Sequence, residues 1–137
     1  MTELTPGKVY HETAFRHLLN NEAVRSQRSG LAYHVVLLSQ DTADGTMRPL
    51  DVQVAASVAK VFKNCLRDTD YIGWYQEGRV IGGVLTTMGK EFGPDHIEDL
   101  TARIVDMLGS ELGEKEVEDF QIDIYSADKW AAGSEQE

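Results

Sequence analysis

RDTDYIGWYQEGRVIGGVLTT, residues 67–87, is the stretch whose reading decides the fold. DYIGWY and RVIGGVLTT are rich in β-branched and aromatic residues, and the QEG between them holds Gly78, which can supply the positive φ that a tight turn requires. The stretch reads as a β-hairpin. Regular alternation along the first strand puts Trp74 and Tyr75 on opposite sides, so one is expected buried and the other exposed. An exposed aromatic there would shield the sheet, stack a base or anchor a protein partner.

Upstream, Val54, Val58, Val61, Phe62 and Cys65 mark one face of a helix from about Leu50 to Arg67. It follows the turn chemistry of DTADGTMRP and, before that, the continuous aliphatic run LAYHVVLLS, residues 31–39, which reads as a central strand. Further back, Ala14, Phe15, Leu18, Leu19 and Ala23 recur at helical spacing from His11 to about Gln27, with Gly30 as a stop. Downstream, Ile97, Leu100, Ile104 and Leu108 define a third helix, and FQIDIYS, residues 120–126, alternates as a strand with one wet face. After the first helix the order is βαββαβ, which predicts a ferredoxin-like α/β (α+β) fold: an antiparallel sheet with two helices on one face and the other face free. A single domain over 1–137 is expected, with its core in 12–126 and a mobile tail, 127–137.

The chain has 137 residues, 42% hydrophobic and 26% charged, enough for one core without disulfides. Its net charge of −10 would repel a phosphate backbone, and its 13 basic residues form no dense stripe, which argues against nucleic acid as a partner. The single cysteine, Cys65, reads as a buried structural thiol in a reducing compartment. No run approaches the roughly 18 apolar residues of a membrane span, and MTELTPGKVY is no signal peptide, so the expected location is cytoplasmic without a membrane partner.

Other chemistry-bearing residues are sparse. His11, His17, His34 and His96 have no metal-ligand spacing. Asp41, Asp44 and Gly45 lack the alternating oxygen ligands and closing glutamate of a calcium loop, and GGVLTTMGKEFGP lacks P-loop spacing. The acidic segment 111–119 reads as a solvated helix end and loop, with a basic partner as the minority alternative. No metal and no cofactor is expected.

The arrangement of helix, RxxD, strand, turn and strand resembles GGDEF-type diguanylate cyclase domains. In that family RxxD is followed after five residues by GG[DE]EF; here Arg67-Asp68-Thr69-Asp70 is followed by YIGWY and then Gln76-Glu77-Gly78-Arg79-Val80. The spacing matches and the turn residues differ. The resemblance implies condensation of two GTP molecules to cyclic di-GMP, with carboxylates from the first strand and the turn holding Mg²⁺, a cation that takes hard oxygen ligands. Ser39 stands where the strand aspartate belongs, Gly78 where the turn acid belongs and Arg79 where the next glutamate belongs; Gln76 and Glu77 replace the paired glycines. Those five positions define a degenerate active site with no catalytic residue.

The resemblance also assigns Arg67 and Asp70 to a cyclic di-GMP site, where arginine grips phosphate or guanine and aspartate accepts from guanine. A structural alternative is a helix-end arginine and a strand-start aspartate in a local ion pair. The expected function is an inactive GGDEF-like signalling domain, regulatory or protein-binding, with cyclic di-GMP or a signalling protein as partner. Two alternatives stay open: a residual cyclase or phosphotransfer enzyme acting on GTP with Mg²⁺ through Asp41, Asp44 and Glu77, and a structural dimerisation domain using an apolar open sheet as a homodimer surface.

Overall fold

A computed structural model describes residues 9–30, 33–41, 44–66, 70–86 and 94–126. A short strand, β1 (Val9–Tyr10), leads to His11, whose extended backbone and Nδ1, accepting the Ala14 N–H at 3.4 Å, cap helix α1 (Glu12–Ser29). Gly30, at φ 76°, closes that helix, its N–H bonding to the Ser26 carbonyl. Strand β2 (His34–Asp41) follows, then β3 (Met47–Arg48) and helix α2 (Val52–Cys65), which Asp51 caps through the Gln53 N–H. The hairpin is β4 (Tyr71–Gln76) and β5 (Val80–Leu85). Helix α3 (Pro94–Leu112), the single turn α4 (Glu114–Val117) and strand β6 (Phe120–Ser126) complete the chain.

β4, β5, β2 and β6 lie side by side and antiparallel, with β1 parallel at the outer edge of β4. β3 pairs only with Gln40 and Asp41 at the end of β2. This is the expected βαββαβ sheet in the expected chain order. The two-residue strands β1 and β3 and the turn α4 are additions that no periodicity announces, because each is held by a neighbour and not by its own pattern. The central strand also runs to Asp41, two residues beyond the expected end.

Alternation along the strands splits the core into two layers. Val36 and Leu38 of β2, Ile72 of β4 and Ile81 of β5 face α2 and α3, meeting Val58, Val61, Phe62, Ile104 and Leu108. On the other face, Val35 and Val84 meet Phe15 and Leu19 of α1, with Tyr10 and Tyr33 closing the layer. The two crossover helices thus share one face as expected, but the opposite face is not free, because α1 lies on it. What α1 leaves on that side along β6 is Gln121, Asp123 and Tyr125. The large apolar side chains that are exposed, Val9, Val24, Met47, Val52 and Val105, are scattered over five elements, so the broad apolar sheet required for dimerisation is not found among the described residues.

Phe15 explains two glycines of the hairpin. Gly73 and Gly82 are register partners, and Phe15 seats its ring over them: a Cβ at Gly73 would lie 2.6 Å from Phe15 Cδ1 and 2.8 Å from the Tyr10 carbonyl oxygen, and one at Gly82 would lie 3.1 Å from the ring. On the far face, a Cβ at Gly83 would meet Leu66 Cδ1 at 2.8 Å. Strand glycines of this kind mark close approach and not flexibility.

Trp74 and Tyr75 do face opposite layers, Trp74 toward α2 and α3 and Tyr75 toward α1, but a bulge between Trp74 and Gln76 interrupts the strand. Both rings are half-buried, correcting the expectation of one buried and one exposed ring. Cys65 is likewise half-buried, with Sγ 3.5 Å from Met107 Sδ. Burial raises its thiol pKa, opposed in part by the Arg103 charge. Among the described residues no helix is long and apolar enough to cross a membrane.

Candidate functional site: the hairpin turn and the end of the central strand

The turn joining β4 to β5 is residues 77–79, closed by the Arg79 N–H bonding to the Gln76 carbonyl at 3.0 Å. Gly78 takes φ 79°, as the sequence predicts, a conformation in which a side chain would be strained. Its carbonyl accepts the Leu50 N–H at 2.8 Å, and Arg79 Nη1 donates to the Met47 carbonyl at 3.2 Å. The turn is therefore tied to the segment carrying β3, which in turn pairs with Asp41. Arg79 thus places a guanidinium at this end of the sheet, beside β3.

Glu77 is the one acid in the turn, and its carboxylate is already employed. Glu77 Oε1 accepts the Glu12 N–H at 3.0 Å, and Glu12 Oε1 accepts the Glu77 N–H at 2.7 Å. The pair joins the turn to the first residue of α1 in a reciprocal cap. One of the unpaired amides at the helix start is satisfied, and a negative group sits at the positive end of the helix dipole. Arg16 braces the arrangement: its Nε lies 3.2 Å from Glu12 Oε2 and donates to the Tyr75 carbonyl at 2.9 Å, while its guanidinium stands 4.1 Å from the Tyr75 ring centroid.

The other predicted positions fall nearby without forming a metal site. Ser39 is buried in β2 opposite Gln121, and Gln76 is half-buried opposite Val80. Asp44 turns its Oδ1 to the Thr46 N–H and hydroxyl, at 3.2 and 2.9 Å, a local turn with Gly45 at φ 88°. Asp41 is half-buried, its N–H donating to the Asp119 carbonyl. Among the described residues no group of three or more His, Cys, Asp or Glu side chains is placed to hold a metal ion. A serine, a glycine, an arginine and a glutamate bound to a helix start do not match the hard-oxygen set that Mg²⁺ takes.

Of the RxxD motif, Arg67 lies outside the described residues, with Asp68 and Thr69. Asp70 is buried at the start of β4, where its Oδ1 accepts the Thr86 N–H at 3.0 Å and so ties the open end of the hairpin together. Beside the end of β2, Gln40 is buried; its Nε2 donates to Glu116 Oε2 at 2.6 Å, and Arg48 lies 3.6 Å from Glu116 and 3.5 Å from Asp119. This network anchors α4. Neither it nor the reciprocal glutamate pair had a sequence signal, since their partners lie 76 and 65 residues apart.

No family model matches the chain, and no curated protein matches it. Solved structures do. A DGC protein from Thermotoga maritima superposes with a TM-score of 0.62 at 19% identity, over 88% of this chain and 81% of that one. The GGDEF domain of DgcB from Caulobacter crescentus, in complex with c-di-GMP, gives 0.61 at 12% identity, over 92% and 78%. Diguanylate cyclase SiaD from Pseudomonas aeruginosa, in complex with its activator SiaC, gives 0.57 at 18% identity, over 85% of this chain but only 45% of SiaD. The chain has the fold of the GGDEF domain.

Proposed function

We propose that this GGDEF-like domain has lost catalysis and works as a regulatory or protein-interaction module. The observation that carries the reading is the use made of the turn: Gly78 and Arg79 stand at the acid positions, and the carboxylate of Glu77 caps α1. A phosphoryl-transfer site needs a metal to offset charge on the phosphates, and here the nearby guanidinium of Arg79 would oppose metal binding. The SiaD–SiaC complex supports the interaction half of the reading, because a diguanylate cyclase that includes this fold is there in complex with its activator.

Incubation with GTP and Mg²⁺, followed by chromatography for cyclic di-GMP, tests the loss of catalysis. Product at the background level of a protein-free control is expected; product that scales with protein concentration overturns the reading and revives the residual enzyme using Asp41, Asp44 and Glu77.

A second reading, cyclic di-GMP held through Arg67 and Asp70, is favoured by the c-di-GMP complex of the DgcB domain. Calorimetric titration decides it. Binding that Arg67→Ala abolishes supports the site, whereas binding untouched by that substitution rejects it.

A further inference from the structure

Beside the Gln40 end of β2, a groove of about 600 Å³ lies between α3, α4 and β6. Its apolar floor is Val105, Val117, Phe120 and Ile122, and its rim is Asp106, Glu114 and Glu118; among the described residues no lysine or arginine lines it. The groove opens beside an edge strand. β6 pairs with β2 along seven residues, from Phe120 opposite Gln40 to Ser126 opposite His34, and among the described residues with no other strand. Phe120, Ile122 and Ile124 are only half-buried, so the apolar layer of the sheet continues to this edge without being closed over. FQIDIYS also lacks the proline, lysine or bulge that commonly blocks an edge.

We infer that this groove and the outer edge of β6 form a docking site for a basic, alternating β-segment of a partner protein, which adds to the sheet as a further strand. The inference rests on the interaction-module reading and supplies its surface. Strand addition uses backbone hydrogen bonds for affinity and alternate side-chain pockets for specificity. One row of the incoming strand would place aliphatic side chains on Phe120, Ile122 and Val105, with basic groups at the rim near Asp106, Glu114 and Glu118. The other row would pass Gln121 and Asp123, again favouring a cation. Charge selects against a second copy of this chain, since its own β6 would bring Asp123 and no cation, on a molecule of net charge −10.

The test is a titration of the ¹⁵N-labelled full chain, at about 0.15 M salt, with a synthetic peptide alternating lysine and valine. A peptide of the same composition with its lysines and valines in two blocks serves as the control. Amide shifts confined to residues 105–110 and 114–126 are expected, with the block peptide binding roughly tenfold more weakly. Asp106→Lys combined with Glu118→Lys, both at exposed positions, should weaken the alternating peptide by roughly tenfold while leaving the spectrum dispersed. Shifts spread over the whole acidic surface, equal affinity for both peptides, or indifference to the double reversal would each overturn the assignment. So would peptide-free shifts at β6 that grow with protein concentration, which would seat a second copy there. A failed titration with no GTP turnover removes only this surface, whereas turnover removes the loss of catalysis and leaves the binding map standing.

Discussion

The strands of the β4–β5 hairpin and the turn that joins them have answered to different demands. In the strands, Gly73 and Gly82 face each other under Phe15, and Gly83 admits Leu66 from the other side, so these positions serve packing on both faces of the sheet. In the turn, Glu77, Gly78 and Arg79 each bond another segment: α1, Leu50 just before α2, and β3. Packing constrains the strands by sub-van der Waals margins, while the turn keeps only its backbone shape. A fold of this kind can therefore keep its sheet whatever chemistry its turn carries, because the contacts that pack the strands do not involve the turn residues.

The largest effect that would break this comparison is at Phe15. Phe15→Ala should lower unfolding stability by about 3–5 kcal/mol in urea titrations, since it empties the socket between α1 and the hairpin. Gly73→Ala should cost about 1–3 kcal/mol by overpacking, because the Tyr10 carbonyl at 2.8 Å belongs to the backbone and gives little. In the double variant the two losses should sum to less than their separate values, as the absent ring makes room for the new methyl. Wild-type stability for Gly73→Ala would show that the close approach is slack and that the glycine is incidental.

The turn predicts a smaller response. Glu12→Ala and Glu77→Ala should each cost about 1 kcal/mol, the usual worth of a helix cap. A double-mutant cycle should show that the costs are not independent, because each carboxylate bonds the other's amide. Glu12 also meets Arg16, so its removal should be the more damaging of the two. Strict additivity would mean that the reciprocal pair is two unrelated surface contacts, and the carboxylate of Glu77 would again be open to other roles.

What could be read in advance follows the range of the interactions. Helices α1, α2 and α3 and the strands β2, β4, β5 and β6 were legible because 3.6- and 2-residue periodicity is local, and Gly78 marked its turn because positive φ is local too. The face chosen by α1 was not legible: its amphipathic pattern shows that it packs, and Phe15 with the paired glycines decides where. Those glycines were a signal of close approach that went unused. At the candidate site, spacing from Asp70 together with Gly78 located the turn at residues 77–79. The capture of Glu77 by Glu12 was beyond reach, since a bond spanning 65 residues leaves no local trace.

The smallest effect concerns the opposite end of β2, where the sheet holds a buried imidazole. His34 lies between Leu85 and Ser126, and burial lowers its pKa from the ordinary histidine range near 6.5. The folded state therefore binds a proton less readily than the unfolded chain. The stabilising contribution is fully present above about pH 6.5 and is lost as pH falls through the folded value. Each unit of depression is worth about 1.4 kcal/mol. The difference between the wild-type and His34→Gln stability profiles isolates this group. Urea midpoints measured from about pH 7.5 down to about pH 5 should fall more steeply for wild type than for His34→Gln. Parallel profiles would place the imidazole in an environment as wet as the turn, and the contrast between the two ends of the sheet would then rest on packing alone.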